Sequence, residues 1–325
     1  MSENFLGVYL GLIAHFIGYR GNVRQGEQTA LRFGIVPLEF EPAAKLVIGN
    51  GTPDFSRFDV VELIRSALKI EHIEVIEITL DVPHLIPGSV TTETISSLIE
   101  LREKTGCSYT AHLPLWSLEL ASPNEYVRKG SVESTVAAVE LMEPLEPEYY
   151  VLHSTGALAA EFSRLEFPQN IMDIFSSFMA GFSAQSIEEI LEQTGLNPHR
   201  LAVENIEFPF SHTRQVIDEY DCSICFDTGH LLTKFSGDEP VVDFYREHRD
   251  RIVEIHLNDG SYRECDGVAV HEDHLALGDG EMPVREFVSE IYNDSFDGPL
   301  IFELTTEQAR RSLELITELV PEALE

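Results

Sequence analysis

The sequence predicts a single α/β domain with the fold of a closed (β/α)8 TIM barrel. Its 325 residues contain no low-complexity tract and no linker that would divide them, and 43% of them are hydrophobic, which supplies a large core. Eight short β-rich segments alternate with eight amphipathic segments, which is the count of such a barrel. An open doubly wound sheet is the weaker alternative, because no G-x-G-x-x-G turn follows the first strand.

The predicted strands are rich in β-branched and aromatic residues. In chain order they cover residues 32–40, 72–80, 107–113, 149–154, 200–205, 222–227, 251–257 and 299–304. The segments between them repeat apolar residues at the spacing of one helical face. These predicted helices cover residues 58–70, 91–106, 132–142, 170–195, 211–220, 240–248, 283–292 and 307–319. Residues 1–30 fall outside the repeat, and we expect this N-terminal extension to pack on one end of the barrel.

The charge of the chain argues against polyanionic partners. It has 56 acidic and 22 basic residues, for a formal net charge of −34. Such a surface repels nucleic acids and anionic membranes at long range. Four cysteines do not form a disulfide framework, and the first residues carry Glu3 where a signal peptide has basic residues. We therefore expect a cytoplasmic protein with neither a nucleic-acid nor a membrane partner, and the oligomeric state stays open.

Side chains of the types that bind metals stand at the C-terminal ends of the predicted strands, where TIM barrels carry their functional residues. At the strand ends they are His112, His153, Glu204, Asp227, His256 and Glu303. His230 follows one turn after Asp227, and Glu272 and His274 lie in the loop predicted after the seventh strand. Taken singly, a histidine at a strand end is more often a structural residue than a ligand. Taken together, so many carboxylates would be very costly to bury without cations. Because imidazole and carboxylate groups bind Zn, Mn and Fe, the pattern predicts a metal centre.

This set resembles the metal site of the xylose isomerase-like TIM barrels, and specifically that of their endonuclease IV branch. The segments AHLPL, VLHSTG, AVENIE, CFDTGH, IHLND, HLALGDGEM and IFELT each resemble a family segment, and together they cover the chain from about residue 72 to 304. The resemblance implies two to three divalent ions per chain, with zinc first and manganese or iron as alternatives. It also implies that Glu204, Glu303 and His274 take part in catalysis.

The resemblance implies a place for each ligand. Glu204 would bridge two metals, and the three metals would be completed by three sets of residues. These sets are His112 and His153; Asp227, His256 and Glu303; and His230, Glu272 and His274. The branch has Asp where this chain has Glu272, so we expect the longer side chain, or the neighbouring Asp273, to alter or weaken the third site.

Two enzyme functions remain open. The sugar isomerases and epimerases of this superfamily use the smaller set Glu204, Asp227, His256 and Glu303, commonly with one metal. The additional residues favour a phosphodiesterase, because several metals around one anion neutralise charge on the phosphoryl and leaving oxygens. The alternative is a sugar or sugar-phosphate isomerase or epimerase with a single divalent metal. A non-catalytic metabolite binder is disfavoured, because the expected strand ends all keep their ligands.

The stretch AHLPLWSLELASPNEYVRKGSVEST and the chain length resemble bacterial cobamide-remodelling phosphodiesterases of this superfamily. The resemblance implies a corrinoid substrate, a cobamide, and hydrolysis of the phosphoribosyl linkage in its nucleotide loop. A single phosphodiester on a mostly neutral body needs no basic surface when metal ions supply the positive charge. The candidate substrate contacts are Lys45, Glu77, Trp116 and Asn258, with Arg263 as a further one.

Overall fold

Eight parallel strands close into a barrel in the computed structural model, which describes residues 29–37, 47–48, 51–52, 54–165, 167–265 and 267–325. The strands are β1 (Arg32–Ile35), β2 (Ile73–Thr79), β3 (Ser108–His112), β4 (Tyr150–Leu152), β5 (Leu201–Glu204), β6 (Ser223–Asp227), β7 (Ile252–His256), β8 (Asp259–Cys265), β9 (Val268–Leu275) and β10 (Pro299–Phe302). Barrel neighbours follow chain order from β1 to β7, and β10 closes the ring between β7 and β1. The predicted fold class and its eight strands are confirmed.

Helices connect the strands. They are α1 (Val60–Ala67), α2 (Val82–Leu85), α3 (Thr92–Thr105), α4 (Glu125–Met142), α5 (Ala157–Ser163), α6 (Gln169–Thr194), α7 (Phe210–Tyr220), α8 (Thr228–Leu232), α9 (Val241–His248), α10 (Val284–Asn293) and α11 (Thr306–Leu319). The eight predicted helices are confirmed. The short helices α2, α5 and α8 were not predicted, because segments of four to seven residues are too short to show a helical period.

Helix α11 illustrates how capping residues begin a helix and how an apolar face places it against the barrel. In α11, Thr305 and Gln308 form a reciprocal capping box at the N-terminus, and the buried residues include Ala309, Leu313 and Ile316. Their spacing of three to four residues puts them on one face, which packs into the main apolar cluster of the barrel. Across the described residues, no helix is both long and apolar enough to cross a membrane.

The prediction that an N-terminal extension packs on the barrel falls almost wholly on residues 1–28, outside the described residues. Lys45, one of the candidate substrate contacts, also lies outside them.

An antiparallel hairpin interrupts the repeat after β7. Its strands β8 and β9 pair with each other and form a sheet separate from the barrel. The sequence predicted a loop here, and that prediction was wrong. Most of the paired residues are at least partly exposed, so the hairpin lacks the alternation of buried and exposed residues by which a strand is recognised. The hairpin stands at the C-terminal end of the barrel, where functional residues collect.

Asp259 fixes the base of this hairpin. Its side chain is fully buried and accepts hydrogen bonds from the backbone N–H groups of Gly278, Gly280 and Met282 at 2.8, 3.0 and 2.8 Å. A Cβ atom on Gly280 would lie 2.4 Å from Asp259 Oδ1, so only glycine allows this approach. The turn that leads from β9 to α10 is therefore bound to the start of β8 through one carboxylate.

We expect Asp259→Ala to lower the free energy of unfolding by about 3 kcal/mol, because several buried backbone donors lose their acceptor. Urea denaturation monitored by circular dichroism measures this change. Asp279→Ala is the matched control, since Asp279 lies in the same turn and pairs with Arg311 at a partly exposed site. That control should cost less than about 1 kcal/mol. Equal stability of the two variants would contradict the structural role of Asp259.

Candidate metal centre

Four groups of ligand-type side chains lie in the barrel. One, formed by Glu77, Glu254 and His256, lies deep inside it. The other three meet at its C-terminal end, with side chains from the ends of six strands, from helix α8 and from the hairpin. Within each group the candidate ligand atoms lie within 4.8 Å of one another. We call these three the central group (Glu204, Asp227, His256 and Glu303), the histidine-pair group (His112, His153 and Glu204) and the outer group (Asp227, His230 and His274). Glu204 belongs to the first two groups and Asp227 to the central and outer groups.

Glu204, the last residue of β5, lies at the middle of the cluster. Its Oε2 atom is 2.8 Å from Nε2 of His153 and 3.4 Å from Nε2 of His112. Its Oε1 atom is 3.3 Å from Nδ1 of His256 and 3.5 Å from Nδ1 of His230. The side chain is only 1% exposed, and neither oxygen has a hydrogen-bond partner of good geometry among the described residues.

The central group is held together by a buried amide. Nδ1 of His256 lies 3.2 Å from Oε2 of Glu303 and 3.8 Å from Oδ2 of Asp227. Asn258 donates from Nδ2 to that same Asp227 oxygen at 3.0 Å, and its Oδ1 accepts the backbone N–H of Glu303 at 3.2 Å. Asn258 is fully buried and orients two candidate ligands, and its role as a substrate contact stays a prediction.

Asp273, rather than Glu272, lies beside the outer group. Oδ2 of Asp273 lies 3.3 Å from Nε2 of His230 and 3.4 Å from Nδ1 of His274. Glu272 instead forms an ion pair with Arg263 and accepts a hydrogen bond from Ser261. Adjacent residues of a strand face opposite sides, so Glu272 and Asp273 cannot both face the centre. The structure thus corrects the expectation that Glu272 supplies a ligand.

Two backbone features let the hairpin residues reach the centre. His274 has a φ of 51°, and this left-handed conformation breaks the strand alternation, so that Asp273 and His274 both face inward. Gly229, in the CFDTGH segment, allows the close approach of Asp273, since a Cβ atom there would lie 2.4 Å from its Oδ1 atom. His274 Nε2 lies 3.2 Å from Oε2 of Glu303, which joins the outer group to the central group.

Backbone carbonyls fix the orientation of two candidate ligands. Nδ1 of His112 lies 2.9 Å from the carbonyl oxygen of Leu113, and Nδ1 of His230 lies 3.0 Å from that of Asn205. A carbonyl oxygen only accepts hydrogen bonds, so each Nδ1 carries a proton and each Nε2 is the ring atom left to bind a metal. Metal-binding histidines typically donate their other ring N–H to an acceptor of this kind.

The carboxylates and imidazoles of the centre shift one another's pKa. Burial acts to raise the pKa of Glu204, but the positive charges of His153 and His256 outweigh it and hold that pKa well below its usual range. Burial raises the pKa of Asp227 to about 6. Burial acts to lower the pKa of His112, but its interactions with Glu204 prevail and raise it to about 9. In the absence of metal, protonated imidazoles therefore balance the buried carboxylates.

The residues fit divalent metal ions. Both oxygens of Glu204 and both ring nitrogens of His256 are buried and lack hydrogen-bond partners among the described residues. Such atoms cost considerable free energy when nothing satisfies them, and a cation held by imidazole and carboxylate satisfies several at once. Imidazole nitrogen and carboxylate oxygen atoms are the usual ligands in zinc, manganese and iron sites.

The remaining predicted contacts differ in their surroundings. Glu77 on β2 is fully buried and lies 3.4 Å from Nε2 of His256, on the side away from Glu204, Asp227 and Glu303, and its role as a substrate contact stays a prediction. Trp116 is 46% exposed in the segment after β3, and its role in substrate binding stays a prediction. Arg263 contacts Glu272 on the hairpin.

Sequence reasoning missed the residues that support the ligands. Asn205 donates to the carbonyl oxygen of Asp227 at 2.9 Å and accepts its N–H at 2.7 Å, which ties β5 to β6. Asn205 directly follows Glu204 at the end of a strand, and this position is the sequence feature that could have identified it. Glu254 lies two residues before His256, and residues two apart on a strand share a face. That spacing was the signal for a second layer of carboxylates below the metal centre.

Comparison with known proteins places this chain in a family. Residues 65–319 match the family model of the xylose isomerase-like TIM barrel. Fructoselysine 3-epimerase of Shigella flexneri is 22% identical over 264 residues, which cover 74% of this chain and 84% of that protein. A D-tagatose 3-epimerase-like protein has a similar structure, with a TM-score of 0.64 and 20% identity over 90% of this chain and 98% of its own.

Endonuclease IV of Thermus thermophilus is also similar in structure, with a TM-score of 0.59 and 18% identity over 81% of this chain and 94% of its own. Sugar epimerases predominate among the similar structures. These comparisons do not show the resemblance to cobamide-remodelling phosphodiesterases. The family model spans well over half of the 325 residues. The chain therefore belongs to the xylose isomerase-like TIM barrels.

Proposed function

We propose that this protein is a divalent-metal-dependent epimerase or isomerase of a sugar or sugar phosphate. The central group carries this proposal, because the carboxylates of Glu204 and Glu303 both approach Nδ1 of His256, at 3.3 and 3.2 Å, beside Asp227. These are the four residues that the sequence resemblance assigns to sugar isomerases and epimerases. The relatives that are named sugar epimerases support this function better than they support cobamide hydrolysis.

The central group offers the parts that proton transfer next to a carbonyl requires. A divalent ion held by these four residues would polarise the oxygens of a bound sugar and make the neighbouring C–H group more acidic. Glu303 is more exposed than Glu204, 19% against 1%, so Glu303 is the carboxylate better placed to take a proton from a substrate in the mouth. His274 Nε2, 3.2 Å from Glu303, is placed to exchange a proton with it.

Hydrogen–deuterium exchange tests this proposal across many sugars in parallel. The protein loaded with manganese, zinc or cobalt is incubated in D2O with a panel of ketoses and ketose phosphates. Proton NMR then follows the loss of the signal from the carbon next to the carbonyl. We expect exchange with at least one sugar and none after removal of the metal by a chelator. Absence of exchange across the panel, together with cleavage of a cobamide, would overturn the proposal.

His112 and His153 favour a second candidate function, hydrolysis of the phosphoribosyl linkage in the nucleotide loop of a cobamide. These histidines approach Glu204 Oε2 at 3.4 and 2.8 Å and are not part of the central group that epimerisation requires. Glu204 is thus shared by two ligand groups, an arrangement suited to two or three ions. Several ions around a phosphodiester neutralise the charge on its oxygens.

Metal stoichiometry and product analysis separate the two candidates. One ion per chain supports the epimerase or isomerase, whereas two to three ions support the hydrolase. Mass spectrometry of a cobamide incubated with the metal-loaded protein would detect the products of hydrolysis, cobinamide phosphate and an α-riboside. Under both proposals the substrate is a small molecule rather than a nucleic acid, because a net charge of −34 opposes the docking of a duplex.

A further inference from the structure

Two further carboxylates lie inside the barrel beneath the central group. Glu77 on β2 and Glu254 on β7 are fully buried. Oγ1 of Thr110, on β3 next to β2, lies 3.3 Å from Oε2 of Glu77 and 3.0 Å from Oε1 of Glu254. These three residues form a fully buried polar layer that a substrate in the mouth does not reach. Any role of this layer in the reaction must act through the ligands above it.

His256 is the ligand that this layer contacts. Its Nδ1 faces the carboxylates of Glu204, Asp227 and Glu303, at 3.3, 3.8 and 3.2 Å. Its Nε2 faces Oε1 of Glu77 at 3.4 Å. Among the described residues, both of these facing atoms are buried without a hydrogen-bond partner of good geometry. The Nε2 atom and the Glu77 carboxylate are therefore left to satisfy each other.

We propose that Glu77 is a positioning residue that accepts the Nε2–H of His256 and thereby keeps Nδ1 free to bind a divalent ion. An imidazole that binds a cation through Nδ1 keeps a single proton, and that proton is on Nε2. Glu77 is the carboxylate that faces the opposite nitrogen and holds the proton there. Metal-binding histidines commonly donate their second N–H to a carboxylate in this way.

Thr110 supports this role because it restrains the Glu77 side chain. Thr110 lies opposite Glu77 in the strand register, and its hydroxyl reaches Oε2, which leaves Oε1 directed at the ring. The inference rests on the proposed metal dependence of the protein. It does not depend on the choice between epimerase and hydrolase, since His256 is a candidate ligand in both.

Three variants test the inference through metal affinity and the tautomer of His256. Glu77→Leu removes the acceptor, and we expect zinc to bind about 10- to 100-fold more weakly, as measured by competition with a chromophoric chelator. Glu77→Gln keeps an acceptor oxygen without the charge, and we expect an intermediate affinity. Glu254→Gln is the matched control, a buried carboxylate of the same layer, and its zinc affinity should stay close to that of the unsubstituted protein.

Nitrogen-15 NMR of histidine-labelled, zinc-loaded protein reports which nitrogen of His256 carries the proton. We expect His256 to carry it on Nε2 in the unsubstituted protein, with a loss of this single state in Glu77→Leu. An unchanged tautomer and affinity in Glu77→Leu would overturn the inference. If that variant does not fold, unchanged affinity in Glu77→Gln overturns it instead. An additional ion that disappears in Glu254→Gln would also overturn it, because the layer would then be a cation site.

These measurements need no substrate, so they can fail separately from the proposed function. A protein with normal zinc affinity and the expected tautomer but no sugar exchange would contradict the epimerase proposal only. A protein that exchanges deuterium into a sugar but shows no effect of Glu77→Leu on either readout would contradict the positioning role only.

Discussion

Glu204→Gln is expected to lose most of the bound metal and to lower kcat by about 10³-fold, the largest effect of any single substitution in the centre. Glu204 belongs to two of the three ligand groups, and the amide of glutamine has no charge to hold a cation. Element analysis of protein purified without chelator gives the metal content, and deuterium exchange or cobamide cleavage gives the activity.

Glu207→Gln is the matched control for this variant. Glu207 lies three residues further along the chain, pairs with Arg164 and is 32% exposed. Its substitution should leave metal content and kcat close to those of the unsubstituted protein. A Glu204→Gln protein that keeps its metal and its activity would show that the three ligand groups are not the active centre.

His274→Ala is expected to lower kcat by about 10²-fold while changing the melting temperature little. Its Nε2 atom lies 3.2 Å from Glu303, so the substitution removes the partner that would exchange a proton with that carboxylate. The side chain is 40% exposed, so its loss leaves no cavity in the core. Steady-state kinetics and thermal denaturation measure the two effects.

His271→Ala serves as the control on the same strand. Nδ1 of His271 lies 2.8 Å from the carbonyl oxygen of Thr233, and the ring is stacked on Phe235 outside the three ligand groups. Unchanged turnover in both variants would mean that the hairpin does not contribute to the reaction.

Most of the barrel was predictable because its strands and long helices carry strong periodic signals. A parallel strand that is buried on both faces is a short continuous apolar run, and the helices between such runs repeat every three to four residues. The hairpin β8–β9 carries neither signal, since pairing across a tight turn around Gly267 does not require a buried face. A local backbone pairing of this kind leaves little trace in the pattern of hydrophobic residues.

The candidate ligands were predictable because parallel strands of a barrel end at the same mouth. His112, Glu204 and Asp227 were placed there by their position in the sequence alone. The choice between Glu272 and Asp273 was not predictable in this way, because it depends on which face of β9 turns inward and on the positive φ of His274. Two adjacent carboxylates are equally good candidate ligands in the sequence until it is known which face of the strand points inward.

The sequence also did not show how deeply a given side chain lies in the barrel. Glu77 and Asn258 are predicted substrate contacts, yet both are fully buried and lie against candidate ligands. The sequence does not show this, because a side chain that points into the barrel and one that points toward its mouth have the same sequence signature. The distinction requires the tilt and register of the strands, which neighbouring strands determine jointly.

The separateness of the hairpin has an evolutionary consequence. It pairs only with itself in the described structure, so the eight-stranded ring closes without it. Deletion or exchange of this one insert would remove Asp273 and His274 and leave the four residues of the central group in place. Recombination at this single connection can therefore add or remove candidate ligands while the central group keeps its place in the barrel.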